Sequence, residues 1–106
     1  MELNILGTKY DFQGSEARED VRLTDIDGYC DYTTKKIRYE NNYNKNDPVG
    51  IDDYEVITKA TKRHEIVHAF LFESGLSDLS ENEMVVEWIA VQFPKMLKVF
   101  NHVGAL

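Results

Sequence analysis

Two of the three histidines in this chain stand four residues apart with a glutamate between them, in His64-Glu65-Ile66-Val67-His68. On an α-helix, residues at that spacing lie one above the other on a single face. Two imidazoles so placed can hold one Zn²⁺, and the glutamate beside them can act as a general base on water. Ile57, Ala60, His64, Val67, His68 and Leu71 follow helical spacing and form one stripe, which predicts that both imidazoles face the core side of the helix. The competing reading is a pair of hydrogen-bonded core histidines without a metal.

A catalytic zinc takes three protein ligands and keeps a fourth position open. The remaining histidine, His102, does not complete the all-histidine pattern H-E-x-x-H-x-x-G-x-x-H. The third ligand is therefore expected to be a carboxylate, from among Glu73, Asp78, Glu81, Glu83 and Glu87. Glu83 and Glu87 share a partly apolar helix face with Ala90, Pro94 and Leu97, which predicts both carboxylates turned inward. Inward carboxylates need partners, and a metal with its histidines would supply them. Ser80-x-x-Glu83 matches a capping box, which would tie Glu83 to the helix start. Counting turns back from the loop puts Glu87 nearer the level of His68. Spacing alone leaves both glutamates open as the ligand.

The elements that must position these groups follow from patterning. Leu3 to Phe12 alternates around Gly7 and reads as one strand, or two meeting at Gly7-Thr8. The charged stretch Ser15 to Asp20 reads as a loop or single turn, and as the most dispensable segment. Tyr29 to Tyr32, a turn at Thr33 to Lys35, and Lys36 to Glu40 make a hairpin. Asn41 to Gly50 is a loop. A long helix starts at Asp52 or Asp53 and runs to about Ser74, with Gly75 as its left-handed stop. A second starts near Ser80 and carries an apolar series that includes Trp88, read as core, and Pro94, which predicts a kink or break. The tail after Phe100 is expected to fray. The short connection makes the helices antiparallel neighbours. The expected architecture is one α+β domain over residues 1–106: a small antiparallel sheet in the N-terminal half, packed on two long antiparallel helices that carry the metal site.

At 106 residues and 42% apolar, the chain supports one modest core. A net charge of −7 argues against nucleic acid and anionic membrane surfaces as partners. The single cysteine, Cys30, excludes an internal disulfide and a cysteine-based zinc site and fits a cytoplasmic setting. No signal peptide or membrane-spanning run is visible.

HEIVHAFLFESGL followed by NEMVVEWIAVQFPKM resembles the gluzincin class of metallopeptidases, and within it small phage-encoded and minimal proteins of about this length. DGYCDYTTKKIRYE is similar to the hairpin before their active-site helix, and the ImmA/IrrE-type peptidases are a wider relative. The resemblance covers about residues 27 to 97. It implies an E-x-x-x-D helix whose first acid binds zinc and whose last acid hydrogen-bonds a ligand histidine. Here the pair is Glu83 and Glu87, with glutamate where aspartate is commoner. The resemblance thus implies His64, His68 and Glu83 as ligands of one Zn²⁺ per chain, Glu87 as partner of His64, and Glu65 as catalytic base.

The expected function is zinc-dependent hydrolysis of peptide bonds in a peptide or protein substrate, in the cytoplasm of a host cell if the chain is phage-encoded. The alternative is a zinc-containing, proteolytically silent binding domain, which the short chain favours because it leaves little material for a deep cleft. Tyr32, Tyr39, Tyr43 and Tyr54 are candidate oxyanion donors. The strand Lys36 to Glu40 could pair with an extended peptide at its edge, and Cys30 could lie near the metal.

Overall fold

The computed structural model describes residues 1–41 and 53–106. The loop predicted over Asn41 to Gly50, the helix start considered at Asp52, and Tyr43 therefore lie, apart from Asn41, outside the described residues. The chain is α+β as expected: a four-stranded sheet in the N-terminal half, with long helices packed against it. Strands β1 (Glu2–Ile5) and β2 (Thr8–Ser15) pair antiparallel. They are joined by Leu6 and Gly7 at φ 51° and 91°, the positive pair that a tight two-residue hairpin demands. The Asn4 side chain accepts the Gly7 N–H at 2.7 Å. Strands β3 (Gly28–Asp31) and β4 (Lys36–Glu40) form the second hairpin. Asp31 folds its turn by accepting from Thr33 and Thr34.

The strand order is β1-β2-β4-β3, and β2 runs parallel to β4. The sheet is thus mixed rather than wholly antiparallel, because two hairpins meet through β2 and β4. This order also corrects the edge-strand expectation. Lys36 to Glu40 is hydrogen-bonded on both sides, and β1 and β3 are the outer strands of the sheet. A 3₁₀ turn at Val21–Leu23 was not visible in the sequence. The segment before it, read as dispensable, is tied to the sheet at its end, where Asp20 accepts a hydrogen bond from the Tyr29 hydroxyl.

Helix α1 (Tyr54–Glu73) starts where the Asp53 side chain accepts from the N–H groups of Glu55 and Val56. Gly75, at φ 80°, ends it in the left-handed conformation. One turn of helix, α2 (Ser77–Ser80), leads to α3 (Glu83–His102). The second long helix begins at Glu83, not Ser80, because the Asn82 side chain takes the N–H groups of Met84 and Val85. The Ser80 hydroxyl instead donates to the His68 carbonyl at 2.9 Å, so the predicted capping box does not form and Glu83 is not tied to the helix start.

The helix runs unbroken through Pro94 to His102. Proline removes the N–H that would have bonded the carbonyl of Ala90. The Arg63 Nε–H of α1 donates to that carbonyl at 3.1 Å. The two helices are thus fastened one residue before His64.

The core gathers Ile5, Tyr10, Ile37 and Ala69, with Leu3, Phe12, Cys30 and Ile66 around it. Its polar lock is Glu73. That carboxylate accepts from the Thr8 hydroxyl at 2.8 Å, the Tyr10 hydroxyl at 2.7 Å and the Lys35 ammonium at 2.8 Å. These contacts remove Glu73 from the candidate metal ligands. They hold its carboxyl down at about 2, with the Lys35 hydrogen bond the largest cause. Trp88, expected in the core, is 58% exposed. No described helix is long and apolar enough to cross a membrane.

Candidate metal centre

The α1 face buried against the sheet carries Thr61, Glu65 and Ala69. The predicted histidine stripe does not take that place. It turns sideways towards α3, and both imidazoles are half-buried. The helices run antiparallel, so Glu83 of the first α3 turn reaches both rings and Glu87 reaches the earlier one. Glu83 Oε2 lies 2.8 Å from His64 Nε2, and Glu83 Oε1 lies 3.0 Å from His68 Nε2. Glu87 Oε2 lies 2.7 Å from His64 Nδ1. The His64 and His68 ring centroids are 5.0 Å apart. One ligand atom from each of His64, His68 and Glu83 falls within 4.8 Å of the others, the dimensions of a cation-binding group.

The protons of this cluster bear on whether a cation fits. Ionised carboxylates only accept hydrogen bonds. His64 faces one on each ring nitrogen, so in the metal-free chain it must donate from both. Burial alone would pull the His64 pKa down, but the Glu87 hydrogen bond, with Glu65 and Glu83 nearby, leaves it raised. A divalent cation can replace the proton at Nε2, while Glu87 continues to hold Nδ1–H. That is the carboxylate–histidine–metal arrangement of zinc proteins. The donor set, two imidazoles and one carboxylate, suits Zn²⁺ and matches a catalytic rather than a closed structural site.

The inward burial expected for Glu83 and Glu87 is not seen. Their side chains are 68% and 57% exposed, so the two acids avoid the desolvation cost of an interior position.

Glu65 is the buried acid. It is 7% exposed, and among the described residues no hydrogen-bond donor reaches its carboxylate. Burial pushes its pKa up to about 7; His64 opposes that shift and Glu83 adds to it. Strand β3 covers one side of it. A Cβ on Gly28 would lie 2.7 Å from Thr61 Cγ2, 2.8 Å from the Arg38 carbonyl oxygen and 3.3 Å from Glu65 Cγ. The spacing Thr61–Glu65–Ala69 was the signal for this face, and the histidine stripe drew attention from it.

Two open cavities flank the cluster. One, of about 310 Å³, is lined by Asp27, Gly28, Ile57, Ala60, Thr61, His64, Glu65 and Glu87. The other, of about 280 Å³, is lined by Cys30, Tyr32, His68, Phe72, Ser80, Glu81 and Glu83. Of the candidate tyrosines, Tyr32 shares a cavity with His68 and stacks on Phe72 at 4.3 Å between centroids. Tyr39 packs on Phe12 under the Lys62 ammonium. Cys30 borders the second cavity but is not one of the clustered ligands. Burial, with Glu65 adding, pushes its thiol up to about 12, which makes it a poor ligand at neutral pH.

No family model matches the chain, and neither the curated proteins nor the solved structures yield a match.

Proposed function

We propose that this chain is a zinc-dependent peptidase in which His64, His68 and Glu83 hold the metal. When bound, zinc supplies Lewis-acid polarisation of a peptide carbonyl and of the attacking water. Glu65 takes the proton from that water and returns it to the leaving amine. Its carboxyl, poised at about 7, suits both steps near neutral pH. Glu87 holds the His64 ring by its Nδ1–H and so fixes the direction of the opposite nitrogen. Tyr32 lines the cavity beside His68, which supports it as the candidate donor to the developing oxyanion. The substrate is a peptide or protein segment, and the lone cysteine fits action in the cytoplasm.

The observation that carries this reading is the meeting of three ligand atoms from two helices beside a buried carboxylate that no donor among the described residues reaches. The openness of the cluster favours a second reading, a zinc-containing binding domain without proteolysis, since Glu83 and Glu87 stand more than half exposed.

Metal analysis and a peptide library separate them. About one zinc per chain is expected, lost in His64→Ala. Glu65→Gln should keep the zinc and abolish cleavage. Zinc-free protein at neutral pH would remove both readings. Zinc-loaded protein that cleaves no library member would leave only the binding domain.

A further inference from the structure

The cavity of about 310 Å³ beside His64 is lined by polar oxygens that have no partner. Glu65 and Thr61 line it and are 7% and 9% exposed, and among the described residues nothing hydrogen-bonds the carboxylate of one or the hydroxyl of the other. Buried polar groups are nearly always paired, so two in one cavity point to a ligand that brings donors. Glu87 uses Oε2 on His64 Nδ1 and leaves Oε1 open. Asp27 is exposed in the lining. The Glu40 N–H on its carbonyl, at 2.8 Å, fixes its backbone, and its carboxylate has no partner among the described residues. No lysine or arginine lines the cavity.

The chemistry of the ligand follows from these groups. Ionised carboxylates only accept hydrogen bonds, and the lysine and arginine side chains only donate them. A second metal ion is a poorer match. Among the described residues His64, His68 and Glu83 converge as a cation-binding group, and Asp27, Glu65 and Glu87 do not. Acceptors spread in this way suit a polyatomic cation, above all a guanidinium with its five N–H groups. Ile57 and Ala60 supply an apolar wall for its methylene stem. The volume falls at the lower end of the about 300–1,000 Å³ usual for ligand sites. The cavity beside His68 differs. Its wall is the Tyr32–Phe72 stack, and the Lys35 ammonium already lies 4.9 Å from the Phe72 ring centroid.

We propose that the cavity beside His64 is the subsite for an arginine or lysine side chain of the peptide held at the metal cluster. His64 is common to cavity and cluster, so a chain lying across the cluster brings a side chain to the cavity. The cationic head sits between Asp27 and Glu87, which leaves Glu65 to the water. The substrate class rests on the peptidase reading above; the cation site itself does not.

Two measurements tell these apart. n-Butylguanidinium, which cannot be cleaved, is titrated into the zinc-treated full chain and followed by amide NMR, with n-butylurea as its neutral isostere. Saturable shifts at Gly28, Ala60 and Thr61 are expected, with a dissociation constant of the order of millimolar, and no saturation by the urea. Asp27→Asn should weaken guanidinium binding about fivefold, the upper worth of an exposed ion pair. In a peptide library, cleavage sites should carry arginine or lysine at one fixed position. Exchange of that arginine for citrulline should lower kcat/KM at least about tenfold, and by less in Asp27→Asn. Guanidinium binding without cleavage upholds the cation site and removes the peptidase. Cleavage with no basic preference upholds the peptidase and overturns the subsite. Equal shifts from the urea, or none from the guanidinium, overturn it as well, with water then satisfying these oxygens.

Discussion

Replacing Glu65 by glutamine should stabilise the metal-free chain in alkali and leave its stability in acid nearly unchanged. The reason is burial. The side chain is 7% exposed and passes close by Gly28, among the described residues no hydrogen-bond donor reaches its carboxyl, and its pKa is pushed from 4.5 to about 7. In the unfolded chain the same group ionises near its ordinary value. Below about pH 4.5 both states hold the proton, and the group does not oppose folding. As pH rises from there to about 7, the unfolded chain gives up its proton while the folded chain keeps it, so stability falls across that window. Above it the loss is complete. At 1.36 kcal/mol per unit, this difference amounts to about 3 kcal/mol. Glutamine has nearly the shape of the protonated acid and no charge to bury. Urea unfolding followed by circular dichroism, with a chelator present, should show Glu65→Gln about 3 kcal/mol more stable than wild type near pH 8 and within about 0.5 kcal/mol near pH 4. A bound divalent cation should shrink the alkaline difference, because its charge favours the carboxylate. If the variant is less stable than wild type in alkali, or differs from it equally at both pH values, Glu65 is not an unpaired buried acid and the general-base argument loses its basis.

Three further outcomes test the parts around it. Glu73→Ala should cost about 1–3 kcal/mol in urea unfolding, because it leaves the Tyr10 hydroxyl without its acceptor inside the core. Since the Glu73 carboxyl is lowered to about 2, the stability it contributes should be present above its ordinary value of 4.5 and drain away as pH falls from there towards 2, a loss the variant should not show. Gly28→Ala should destabilise by about 1–3 kcal/mol through its clash with Thr61 and the Arg38 carbonyl, measured by the same unfolding. Glu87→Gln should bind zinc about 10–100-fold more weakly in a chelator competition, yet still to about one equivalent, whereas Glu83→Gln should fail to bind it stoichiometrically.

What the sequence made legible was whatever depends on neighbours along the chain. The caps at Asp53 and Gly75, the β3–β4 hairpin and the i,i+4 histidine pair are local patterns, and the structure shows them. The Glu83–Glu87 assignment came from resemblance, since spacing could not separate a ligand from a capping residue. The structure brings Glu83 to both histidines because Asn82, one residue before it, does the capping. The misplacements share one cause: an apolar or helical period says that a face is covered, not by what. The same α1 turns present histidines to α3 and Glu65 to the sheet. The same α3 period that suggested a buried Trp88 leaves it 58% exposed on the side turned away from α1 and the sheet's described residues.

Long-range closure was the part no window could contain. Gly28 is unremarkable in its own hairpin; its meaning appears only where β3 meets Thr61 and Glu65, more than thirty positions on. Pro94 reads as a helix breaker until Arg63 of another helix takes up the carbonyl it strands. That exchange has a consequence for the site. An intrahelical bond is given up, and an interhelical one forms beside His64, at the level where the ligands of α1 must meet those of α3. A proline that should have weakened α3 thus helps to fix the distance across which a metal would be held.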